Sequence, residues 1–137
     1  MRGDAKDPER WLSYAKEDLF AAEKLIEFGS YRASCFHAHQ AVEKALKALI
    51  VRELKQVPKT HDLPYLWGIV VKEKLSDLTI EPKMLSFLNL IYASSRYPDD
   101  FGLMPHGEPT KEDAERAVAY AKEIFDKILK VMGYDQR

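Results

Sequence analysis

Apolar residues recur along this chain at steps of three and four in five separate stretches, the period of a helix face. The first stretch opens at Asp7-Pro8, an acidic N-cap followed by a proline at the first helical position. Trp11, Ala15, Leu19, Ala22 and Ile26 then fall on one stripe, and Gly29 closes it. Ser30 is placed to cap a second helix over Tyr31–Leu54, whose stripe is Tyr31, Cys35, Ala38, Val42, Ala45, Leu46 and Leu49. A loop around Pro58 leads to a third helix, signalled by His61-Asp62 and Pro64 and covering Tyr65 to Lys74. A fourth starts at Glu81-Pro82 and covers Met84 to about Ser95. The segment RYPDDFGLMPHGEPT, from Arg96 to Thr110, is rich in proline and glycine and reads as a long irregular loop. Thr110 with Asp113 then makes a capping-box-like start. Ala114, Ala117, Val118, Ala121, Ile124, Phe125, Ile128 and Leu129 follow, up to Gly133. No strand alternation appears. The pattern predicts an all-α, up-down antiparallel bundle of four to five helices.

Composition narrows this further. The chain has 137 residues, which suits one domain over 1–137, and 46% of them are hydrophobic. Its 21 basic residues against 22 acidic give a net charge of -1. That balance gives no global reason for nucleic-acid or membrane binding, so any such binding needs a local patch. One cysteine, Cys35, cannot form an internal disulfide; it lies on the apolar stripe and reads as a small core residue in a reducing compartment. The charged N-terminus MRGDAKDPER carries no apolar signal segment, and no apolar run is long enough to span a bilayer. A cytoplasmic location is the expectation.

The second helix holds the densest chemistry. At about 100° per residue, Phe36, Gln40, Glu43, Lys44 and Lys47 fall opposite its apolar stripe, with His37 on the flank. A plain solvated face explains the charges, with Glu43 and Lys47 as a pair four residues apart. Phe36 and Gln40 in the middle of that stripe fit an interface or an anion site better.

Five segments together, "WLSYAKEDLFAAEKLI", "FHAHQAVEKALKALI", "THDLPYL", "RYPDD" and "TKEDAERAVAYAKEIFDKIL", resemble the HEPN family in order along nearly the whole chain. This is the helical domain found beside or fused to nucleotidyltransferases in prokaryotes and also in higher eukaryotes. The resemblance implies a homodimeric helical bundle associated with nucleotides or RNA, often paired with a small nucleotidyltransferase in a toxin–antitoxin system. Many family members are metal-independent ribonucleases with an Arg followed, after four to six residues, by a His. Arg32 with His37 or His39 meets that spacing, but Ala33 stands where the family has a polar residue, and the match falls in an early helix. Five positions also rotate by about 140° on a helix, so Arg32 and His37 diverge, while Arg32 and His39 are separated by roughly 10 Å along the axis. Arg96 and His106 have nine residues between them, which misses the motif.

No glycine-rich phosphate loop and no metal-ligand pair is present, and no cofactor is implied. His61-Asp62 reads first as a helix cap, with His61 facing a shared cleft as the alternative. Arg96 and Tyr97 read either as a helix C-terminus with its stop or as a cation and ring for phosphate and base. On the second reading, the loop after Arg96 would be a lid over Gln40, Lys44 and Lys47. The expected function is therefore a non-catalytic, homodimeric HEPN protein that binds nucleotide or RNA phosphates at Gln40, Lys44, Lys47, His61, Arg96 and Tyr97. It would act with a nucleotidyltransferase partner. The alternatives are an endoribonuclease toxin using an Arg/His pair and a purely structural helical domain.

Overall fold

The computed structural model describes residues 5–96 and 107–134. Five helices follow in order: α1 Pro8–Glu27, α2 Tyr31–Leu54, α3 Leu63–Lys72, α4 Pro82–Arg96 and α5 Lys111–Val131. No strand occurs among the described residues.

The ends are set by local chemistry. Asp7 accepts a hydrogen bond from the Glu9 N–H at the start of α1, and Asp62 from the Tyr65 N–H at the start of α3. Thr110 and Asp113 cap α5 reciprocally, as a capping box. Ser30 makes no side-chain cap to α2. The α1–α2 turn is instead closed by backbone bonds. Gly29 (φ 74°) lets its own N–H reach Ile26 O at 3.0 Å and the Ser30 N–H reach Leu25 O at 2.9 Å. The third helix ends at Lys72, two residues before the predicted end. The same wrap forms there with Lys74 in the left-handed region (φ 53°), so no glycine marks the stop.

Helix α2 is the axis of the bundle and packs against α1, α3, α4 and α5. Its burial therefore extends well beyond the predicted stripe: Ala41, Ala48, Ile50 and Val51 are as enclosed as Val42 and Leu49. Small residues let the neighbours approach closely. Ala15 and Ala22 of α1 meet Cys35 and Ala38 of α2 in one core, where the Ser34 hydroxyl donates to Ala22 O at 2.7 Å. Burial of the Cys35 thiol, helped by the charge of Asp113, pushes its pKa up to about 12, so it stays an un-ionised packing group. No buried side-chain N or O among the described residues lacks a hydrogen-bond partner. None of the helices is long and apolar enough to cross a membrane.

Candidate functional site

Because four helices surround α2, the polar stripe read from its periodicity is only partly open to solvent: Phe36, Gln40 and Lys44 are half-buried. Glu43 and Lys47 are buried, at 3% and 6% exposure, and His39 is fully enclosed. A buried carboxylate needs partners, and Glu43 has three. Its Oε2 accepts from Lys47 Nζ at 2.8 Å, and its Oε1 accepts from Gln40 Nε2 at 3.0 Å and from His61 Nδ1 at 2.9 Å. Burial alone would push the Glu43 carboxyl up, but the hydrogen bonds from Lys47 and His61 outweigh it and hold it below the ordinary value. Lys47 also lies 5.6 Å from the centre of the Trp11 ring.

His39 lies beside this network and is a different kind of histidine. Its Nε2 is 2.9 Å from the carbonyl oxygen of His61, which can only accept, so Nε2 carries the proton. The Gln40 amide sits 3.3 Å from the other ring nitrogen. Burial drives the pKa of His39 down to about 4, so the ring is neutral, and its 3.9 Å approach to Glu43 is not an ion pair. The ring stacks on Tyr92 of α4 with centroids 3.8 Å apart.

Where this cluster meets solvent, His61 and Arg96 flank Tyr92. The His61 side chain is 60% exposed, with its Nδ1 turned inward to Glu43. Its ring centre is 5.9 Å from that of Tyr92. The Arg96 guanidinium lies 5.3 Å from the Tyr92 ring centre and donates to the Tyr92 hydroxyl at 3.2 Å. Asn89, one turn earlier on α4, accepts the Leu63 N–H at 3.0 Å and so fixes the His61-containing turn against α4.

The other predicted residues are engaged elsewhere. Arg32 donates to Ser95 O at 2.7 Å and satisfies a carbonyl in the last turn of α4. His37 points to the opposite neighbour, with Nδ1 2.8 Å from Asp18 of α1, and Lys44 donates to the same carboxylate at 2.6 Å. Arg32 and His37 therefore diverge, as helix geometry requires, and neither forms a shared site. Arg32 and His39 both turn toward α4, but His39 is sealed from solvent and uncharged. Tyr97, His106 and the proposed lid lie outside the described residues. Tyr92 is the centre that the sequence reading missed. Its only local signal is a tyrosine one turn before Arg96, and nothing in the sequence marks its stacking on His39.

Fold and site together define a helical bundle whose central helix carries a buried, fully paired polar network opening at one rim. The chain belongs to the HEPN domain family, whose sequence profile matches residues 8–131. It is similar to the candidate toxin MJ1304 of Methanocaldococcus jannaschii, 29% identical over 127 residues that cover 86% of this chain and 83% of that protein. The crystal structure of TT1696 from Thermus thermophilus superimposes with a TM-score of 0.72 at 27% identity, covering 90% of this chain and 96% of that one. An HEPN domain protein from Thermotoga maritima shares the fold with a TM-score of 0.67 at 24% identity, over 90% of this chain and 97% of that one. ST0689, described as an archaeal HEPN homologue, shares it at 0.65 and 23% identity, over 90% and 96%.

Proposed function

We propose that this HEPN protein binds the phosphate of a nucleotide or RNA at the rim formed by His61, Arg96 and Tyr92. In the same reading it is a homodimer that works with a small nucleotidyltransferase in a toxin–antitoxin type system. One observation supports the site above others: a solvent-facing imidazole anchored to a buried carboxylate, and a guanidinium, both within 6 Å of one tyrosine ring centre. A guanidinium is the donor fork that phosphate oxygens take, an imidazolium held by a carboxylate at Nδ1 can also donate from Nε2, and the tyrosine beside them adds aromatic surface. Gln40 and Lys47 serve this rim from behind by holding Glu43. Lys44 is tied to Asp18, on the α1 side of α2. The similarity to a candidate toxin supports the biological setting, and family resemblance supports the dimer and the nucleotidyltransferase.

A cleaving Arg32–His pair is disfavoured because Arg32 is engaged by the α4 carbonyl and His39 is buried and neutral. The test is fluorescence anisotropy with a labelled short RNA and with a mononucleotide, across a salt series. Arg96→Ala should weaken binding by roughly 10- to 100-fold, as for a lost charge-assisted hydrogen bond, and lower the salt slope by about one. Unchanged affinity and slope would sink the assignment of phosphate to this rim. An incubation with RNA in EDTA, comparing the native chain with Arg32→Ala, tests the cleavage alternative. Cleavage that disappears in the variant would reinstate it.

A further inference from the structure

Helices α1 and α5 run antiparallel and are tied across at two places. Near the start of α1 the Tyr134 hydroxyl donates to Glu9 Oε2 at 2.8 Å, and toward its end Lys122 Nζ lies 2.9 Å from Glu23 Oε2. Between these ties the two helices leave a trough of about 530 Å³. Its floor is apolar: Leu12, Leu19 and Phe125 are buried and Leu129 is partly so. Phe20 adds an exposed apolar wall. The charged lining is three carboxylates, Glu9, Glu23 and Asp126, against one amine, Lys16. Glu9 and Glu23 are engaged in the ties. Asp126 is half-buried and makes no hydrogen bond or ion pair among the described residues. Lys122 is held above its ordinary pKa mainly by Glu23, with Asp126 a minor contributor.

We infer that this trough binds a small organic cation with an apolar body, its ammonium on Asp126 and its body on the leucine and phenylalanine floor. The size suits such a molecule: ligand sites run from about 300 to about 1,000 Å³ and are mostly apolar with a few placed polar groups. The sign of the charge follows from the lining. Three carboxylates against one amine repel an anion, and a carboxylate without a partner gains most from a charged donor. The trough is therefore unsuited to the phosphates proposed for the rim and stands independently of that reading. Its ends decide the kind of occupant. From Glu9 to Glu23 the α1 axis advances by about 21 Å, at 1.5 Å per residue, and a tie bridges the trough at each end. A partner helix laid along it would have to ride over both ties, whereas a molecule of one or two rings fits between them.

The experiment follows backbone amide NMR shifts of the full chain with three probes. Phenylbutylammonium carries the cation on an apolar body, phenylvalerate carries the same body on a carboxylate, and butylammonium lacks the ring. Phenylbutylammonium should bind saturably at one site, with a Kd on the order of 1 mM, the scale for a ligand of about a dozen heavy atoms, and should move the Leu19 and Leu129 amides. The two controls should bind at least roughly tenfold more weakly. Asp126→Asn should weaken the cation roughly tenfold and remove its advantage over phenylvalerate. Ser13→Trp, at an exposed position lining the trough, should fill it and abolish binding while the melting temperature stays the same. Phenylvalerate binding as tightly as the cation would overturn the charge assignment. Cation binding that survives Ser13→Trp would place it elsewhere and overturn the site, and the absence of any saturable shift with phenylbutylammonium would overturn the inference outright. A fall in the sedimentation coefficient on Ser13→Trp would show that a second copy of the chain fills the trough, and would overturn it as well.

Discussion

Acid should destabilise this protein through His39 in a way that can be isolated from every other group. In the unfolded chain this imidazole titrates at the ordinary 6.5, while in the fold burial lowers it to about 4. Between those values the unfolded chain takes up a proton that the folded chain refuses. Stability therefore falls as pH drops through that window and is fully present above it. The interval from 6.5 to about 4, at 1.36 kcal/mol per pH unit, amounts to about 3 kcal/mol. The perturbation is His39→Gln, since an amide N–H can still donate to the His61 carbonyl but does not titrate. The assay is urea unfolding followed by far-ultraviolet circular dichroism, from about pH 7 to about pH 4, at fixed protein concentration. The variant should be less stable at neutral pH, and its deficit should shrink by about 3 kcal/mol as the pH falls. Glu43 also loses its stabilisation as pH falls through its lowered value, but it does so in both proteins and cancels in the difference. Parallel curves for the two proteins across the window would refute the argument that His39 is buried and neutral.

Two further outcomes follow from the same contacts. Arg32→Ala should lower stability by about 1 kcal/mol, a charged hydrogen bond to Ser95 O discounted for exposure, with nucleic-acid affinity unchanged; thermal melts and anisotropy check it, and an intact melt with lost binding would contradict it. Glu43→Ala leaves Lys47 buried without its carboxylate and should cost about 3–5 kcal/mol. The double variant Glu43→Leu with Lys47→Met should recover most of that loss in chemical denaturation; equal losses for single and double variants would show that the burial of charge is not the cause.

What the sequence determined by itself is the local layer. The α2 limits, the Asp7, Asp62 and Thr110 caps and the Gly29 and Gly133 stops were legible because a cap or a left-handed turn is settled by residues within one turn of each other. The α3 end was misread because Lys74, not a glycine, takes the left-handed position. Arg96 and His61 were readable as candidates, since their chemistry is written in their side chains. Their relation to each other was not. Glu43 and His61 are 18 positions apart, Lys44 and Asp18 are 26, and Arg32 and Ser95 are 63. A helical wheel can say which residues lie opposite the first apolar stripe, but not what will be packed there. Only the tertiary structure, by setting α2 at the centre of the bundle, turned part of its outward polar face into a buried network. It also sent Arg32, His37 and His39 to separate partners, because burial obliges each charge to find its complement wherever the neighbouring helices supply one.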